Sequence, residues 1–435
     1  MIGTKKIAPF VLALVVALVA TACVESSDDT TTTTAAPTTT AASTETTSAT
    51  ETTEAAMDAP EKILIGNPIA LSGPVAGPAE TTQVSSYDTW AADVNAAGGI
   101  YVAEYDQRIP VEFVRVDDTS DVPTAVALTQ QMIEEDEVHF IFPPWGTAFN
   151  FAIAPLINDA ETPVMGCTVG SKQLVEQAAD FPYFYTMLNQ YFDQGAALVE
   201  LLEDLGVTTV AIIHHDDLFG IDFNEFVKPA LTDAGIEIVF EETYPLGPVD
   251  LSQTLRAAQD ADPDAFLAFS YPDETFLMTA QAIEIGFNPD LFMASVGVAF
   301  PAYREAFGPA AEGVVGTGAW NPGIDTEDAQ GFYDRHVALH GAEPDRWASA
   351  ACYATGQVLE QAIEAAGTLD PKAVKAAMDT TTFNTILGTF EFEGQFNPVY
   401  PGQIGQWQAG EFEIVSPVDD RTAEPIYAKP EWPAG

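Results

Sequence analysis

Val210 to Phe240 reads VAIIHHDDLFGIDFNEFVKPALTDAGIEIVF. Val210-Ala211-Ile212-Ile213 is a short apolar run rich in β-branched residues, the pattern of a buried strand. Asp222 to Ala234 predicts a helix, and Glu237 to Phe240 a second strand. Strand, helix and strand in succession imply parallel strands joined by a helical crossover. The same alternation runs on through a helix over Leu251 to Ala258, a strand over Ala265 to Phe269, a helix over Glu274 to Gly286 and a strand over Leu291 to Met293. A helix over Gln194 to Leu205 precedes it.

An earlier stretch has the same grammar. Lys62 to Gly66 reads as a short apolar strand, and Thr81 to Ala97 as a helix stopped by Gly98-Gly99. Ile109 to Val116 alternates as a strand, and Pro123 to Glu135 is a helix opened by Asp121. Val138 to Phe142, Phe149 to Asp159 and Pro163 to Met165 continue as strand, helix and strand. A third stretch, from about residue 318, holds helices over Asp325 to His340 and Ala348 to Ala366, then strand-rich sequence at Thr389 to Phe392 and Gly405 to Trp407. The fold class is therefore α/β, with two doubly wound lobes. Such sheets bind ligands at the carboxyl ends of their strands. Two facing lobes make a cleft that closes by hinge motion.

The 435 residues suit two ordinary domains, and 47% apolar content is enough to bury their cores. The charge is extreme: 15 Lys and Arg against 65 Asp and Glu, a net of −50. Such a surface repels phosphate backbones, which excludes nucleic acid as a partner. It also argues against docking on anionic lipid through protein charge. Residues 1–23 have the form of an export signal, with Lys5 and Lys6 ahead of a nearly all-apolar run from Ile7 to Ala22, too short to span a bilayer. Ala20, Thr21 and Ala22 directly before Cys23 resemble a bacterial lipobox, which implies lipidation of Cys23 and anchoring on the outer face of the cell membrane. Residues 24–58 are a Thr, Ala, Ser and Glu tract without apolar periodicity, expected to be a disordered tether. Cys167 and Cys352 then remain, both in apolar segments. They are expected as two buried free thiols, with a single bridge left open; a disulfide scaffold is excluded.

Lys62 to Pro74 (KILIGNPIALSGP) resembles the opening strand and Ser-Gly-Pro loop of the leucine/isoleucine/valine-binding group, the type I periplasmic binding fold. Asp93 to Ile100 (DVNAAGGI) is similar to its helix end. Pro155 to Val164 with Gly166 to Ser171, then Asp216 to Gly220, Asp250 to Leu255, Asp264 to Pro272 and Ala310 to Gly313, follow in the family's order. The resemblance covers about residues 60–410. It implies three crossings between lobes, with residues 59–188 and 318–405 in the first and 189–317 and 406–435 in the second. It further implies a monomer that binds a small carboxylate, amide or amino acid and delivers it to the permease of an ABC importer.

The resemblance also carries site residues. The family holds a ligand carboxylate with a hydroxyl and main-chain N–H groups at a helix start, where free amides and the helix dipole favour an anion. Thr147 stands at that hydroxyl and Thr168 at a backbone contact. The second hydroxyl falls at Gly170 or, with a one-residue slip, at Ser171. Phe219 and Tyr271 stand at pocket-lining tyrosines. Val296 stands where amino-acid binders keep an acid for the ligand ammonium. A buried ammonium without a partner is costly, so either Asp273 or Glu274 takes that role or the ligand is no α-amino acid; an aromatic or aliphatic carboxylate or an amide then fits. Trp145, between a Pro pair and Gly at a strand end, is expected at the cleft mouth, stacking on the ligand.

Catalytic and metal signatures are weak. His214 and His215 are neighbours on a strand and point to opposite faces. His336 and His340 have helical spacing, but no Glu accompanies them as in a zinc-peptidase helix. The sequence holds no phosphate loop, no Gly-x-Ser-x-Gly elbow and no dinucleotide fingerprint. No cofactor and no enzyme activity are expected. A sensory receptor on the same fold and a lipid-anchored hydrolase remain as competing readings.

Overall fold

The computed structural model describes residues 58–318 and 320–433. The expected export signal, Cys23 and nearly all of the Thr-rich tract lie outside the described residues. Strand and helix alternate as the apolar pattern requires, in two lobes.

The first lobe is built on a parallel three-stranded sheet with Ile63–Ile69 between Val111–Asp117 and Phe140–Ile141. A parallel pair, Val164–Gly166 with Phe184–Thr186, extends the same lobe. Strands buried on both faces need continuous apolar runs, and Ile63, Ile65, Phe140 and Ile141 supply them. Asp121 opens the helix Val122–Glu134 as its sequence suggests: its carboxylate accepts the Thr124 N–H at 2.9 Å, with a proline in the first turn. The long helix Ser349–Ala366 packs on Ser85–Ala96, and Gly356 allows this closeness, since a Cβ there would meet the Trp90 ring at 2.2 Å.

The second lobe carries a seven-stranded sheet. Its order is Glu411–Ser416, Ile404–Gln408, Val315–Thr317, Leu291–Ala294, Ala265–Phe269, Thr209–His215 and Glu237–Tyr244. Five strands are parallel. The last two in sequence form an antiparallel hairpin that caps one edge. Ala409 and Gly410 both have positive φ, 51° and 93°, as a two-residue hairpin turn demands.

Several elements depart from the sequence expectation. The helix expected from Asp222 begins at Leu218, because the Asp216-Asp217 pair precedes a helix start rather than filling a loop. The helix expected from Asp325 begins at Ala329. Phe184–Thr186 and Val315–Thr317 are strands too short to read by periodicity. The free-thiol expectation is overturned: Cys167 and Cys352 form a disulfide, with Cα atoms 5.1 Å apart. The fold makes this bond by laying the helix Ser349–Ala366 against the loop that follows Val164–Gly166, although 185 residues separate the cysteines.

Candidate functional site

The strand Phe140–Ile141 ends in Phe142-Pro143-Pro144-Trp145-Gly146, and the helix Thr147–Asp159 starts at once. Gly146 turns the chain at φ 100°, where a side chain would be strained. Asn150 steadies the turn: its amide donates to the Pro144 carbonyl at 2.7 Å and to the Gly146 carbonyl at 2.8 Å. Thr168, after the neighbouring strand, accepts the Gly146 N–H at 3.2 Å and the Gln83 amide at 3.3 Å. The Thr147 hydroxyl meets the Gly170 backbone at 3.4 Å. One hydrogen-bonded block therefore joins Thr147 and Thr168.

Trp145 is fully buried. Its indole N–H donates to the Thr82 hydroxyl at 3.0 Å, and its ring lies edge-on to Tyr271 of the second lobe at 5.1 Å. Tyr271 in turn stacks on His215 at 4.4 Å and on Phe219 at 5.6 Å, and its hydroxyl donates to Asp217 Oδ2 at 2.8 Å. The Thr147 hydroxyl and amide lie close to the same phenol.

A cavity of about 160 Å³ sits at this junction. The first lobe lines it with Pro74, Val75, Pro78, Trp145 and Phe149. The second lobe lines it with Asp217, Tyr271, Asp273 and Glu274. Partial loss of solvent raises the carboxyl pKa of all three acids, of which Asp273 is the most exposed and Glu274 the most buried. The Tyr271 hydroxyl opposes the rise at Asp217, and the Gly247 N–H, bonded at 3.0 Å to Glu274 Oε1, opposes it at Glu274. Burial, helped by His214, lowers His215 to about 3, so this ring under Tyr271 is neutral at physiological pH.

Trp145 and Tyr271 thus stand at the cavity wall, and Thr147 and Thr168 brace it. Phe219 backs Tyr271 one layer away. Ser171 is not on the wall: fully buried, it caps the helix Lys172–Glu176 through the Leu174 N–H at 3.3 Å. Val296 is also off the wall, with its N–H on the Ser270 carbonyl at 3.1 Å and its own carbonyl taking the Thr275 hydroxyl. Asp217 lies in the Asp216 to Gly220 stretch of the resemblance but carried no expected site role; an acid just past a strand's carboxyl end was the signal available.

Among the described residues no group of His, Cys, Asp and Glu could hold a metal. His214 pairs with the His215 carbonyl at 2.9 Å and the Thr243 hydroxyl at 3.1 Å. The rings of His336 and His340 lie 4.7 Å apart, but each faces a different partner, the Ala342 carbonyl and the Thr89 hydroxyl. No helix among the described residues is long and apolar enough to cross a membrane.

The family model for periplasmic binding proteins matches residues 62–411. The chain belongs to that family. Among the relatives of this periplasmic binding protein is Leu/Ile/Val-binding protein homolog 7 of Brucella abortus. It is 24% identical over 388 residues, which span 83% of this chain and 93% of the relative. The fold is shared with a leucine-binding protein from Thermotoga maritima, at TM-score 0.71 and 20% identity over 81% of this chain and 98% of the other. It is also shared with an ABC-transporter solute-binding protein from R. palustris solved with benzoate, at TM-score 0.72 and 18% identity, over 85% of this chain and 97% of the other.

Proposed function

We propose that this periplasmic binding protein is the extracytoplasmic receptor of an ABC importer. It captures a small molecule between its lobes and presents the closed form to a permease. The observation that carries this reading is the cavity whose walls come from both lobes. A ligand touching both walls binds the closed form more tightly than the open one, and that difference is what drives closure. The disulfide supports an oxidising, exported location. Lipidation at Cys23 would keep the receptor at the membrane surface, with residues 24–58 as its tether. Among the described residues no nucleophile–base pair emerges at the cavity: the Ser120 hydroxyl on its wall donates to the Ser72 carbonyl, and the imidazole of His215 is buried behind Tyr271.

Thermal unfolding of the purified full chain, with amino acids, amides, urea and aromatic acids, tests the proposal. Ligand at 100 times Kd adds about 2.7 kcal/mol, a rise of a few degrees. At least one compound should give it, and Tyr271→Ala should abolish it. Turnover of a bound compound would instead point to an enzyme.

A further inference from the structure

We propose that the cleft selects a small amine, a molecule with an apolar body whose protonated nitrogen seats against Glu274, flanked by Asp217 and Asp273. This deepens the receptor reading and rests on it.

Glu274 is the starting point. Only 4% of it is exposed, and one carboxylate oxygen is already held by the Gly247 N–H. The other, Oε2, is buried and has no hydrogen-bond partner among the described residues. A buried carboxylate oxygen left open is expensive, and a charged N–H donor is the partner that offsets it best. Glu274 lines the cavity, so a ligand there can supply that donor.

The rest of the wall agrees. Asp217 and Asp273 bring the count of carboxylates to three, and no Lys or Arg faces them from the described wall. An anionic ligand would meet uncompensated like charge in a site of low dielectric. The helix start at Thr147, the other place an anion could go, already has the Tyr271 hydroxyl beside it. The rings of Trp145 and Tyr271 add an aromatic lining to the same wall. Pro74, Val75 and Phe149 give the uncharged part of the ligand an apolar wall. Val296 fits the same picture: the charge that position lacks is provided by Glu274 and Asp273, from the first turn of the helix Pro272–Ile285.

Titration calorimetry on the purified full chain, with three matched series, decides the matter. Isopentylamine and phenethylamine carry only the amine. Leucine and phenylalanine carry amine and carboxylate. Isocaproate and hydrocinnamate carry only the carboxylate. The amine-bearing compounds should bind at least about tenfold more tightly than the carboxylates without nitrogen. Glu274→Gln should weaken amine binding by about tenfold or more, and Asp273→Asn, at an exposed position where folding is not at risk, by a smaller factor. Tighter binding of isocaproate or hydrocinnamate would overturn the amine assignment and leave the receptor reading standing. Full amine affinity in folded Glu274→Gln would overturn the seat. Silence from all three series would overturn both.

Discussion

The first lobe meets the cleft with prolines and aromatic rings on a parallel sheet of three strands, whereas the second meets it with acids on a sheet of seven. The lobes also differ in how the chain makes them. The five parallel strands of the second come from one uninterrupted stretch, residues 209–317, and only a hairpin returns to its edge. The first lobe joins residues 63–186 to the later helix Ser349–Ala366, and the Cys167–Cys352 bond ties the two parts. A large sheet built from near-neighbour segments holds itself together. A small one assembled from distant segments gains most from a covalent tie.

Breaking that tie is the strongest way to test the contrast. Reduction, or Cys352→Ser, should cost about 2–5 kcal/mol. The loss should fall on the first lobe, so amide exchange should speed up at Ile63–Ile69 more than at Ala265–Phe269. Equal loss in both strands would break the comparison.

Acid probes the second lobe. Folded His215 stays neutral down to about pH 3, while the unfolded chain takes up its proton near 6.5. The unfolded state therefore binds more protons in between, so this contribution is fully present above about pH 6.5 and is lost as pH falls toward 3. Asp217 and Glu274, raised by burial, act in the opposite direction, so the informative quantity is the difference between native and His215→Gln stability across that window. The variant should show a flatter profile. On the first lobe, His336, lowered by burial to about 4 in the helix Ala329–His340 that also packs on Ser85–Ala96, should show a smaller version of the same effect in His336→Gln.

The smallest effect expected is at Ser171. As a helix cap it should contribute about 1 kcal/mol, and Ser171→Ala should leave ligand affinity within about twofold. A large loss of affinity at unchanged stability would bring Ser171 back into the site.

Much of this was legible in the residues. Val210 to Ile213 and Ala265 to Phe269 announce buried parallel strands because both faces must be apolar, and Asp121 announces its helix because a cap is a local contact. Trp145 was expected at the cleft mouth from its place after a strand; the structure instead buries it in the cavity wall, because its ring packs against Tyr271 and its N–H is taken by Thr82. What stayed hidden depends on distance. Nothing in the neighbourhood of Cys167 or Cys352 tells either that the other is near. Asp273 and Glu274 were named as stand-ins for the acid missing at Val296, but Asp217 is one acid among 65, and only the folded chain turns it toward the same cavity. Ser171 and Val296 were placed by resemblance, and a shift of one residue along a loop is enough to move a side chain from a wall to a cap.

The bond between Cys167 and Cys352 also changes what it means to cut this protein. Every parallel strand of the second lobe lies between those two residues. A protease that nicks once anywhere from residue 168 to 351 severs the backbone without dividing the molecule. The two pieces would migrate as one body until a reductant was added, and a receptor clipped outside the cell would keep both halves of its ligand cleft on a single covalent frame.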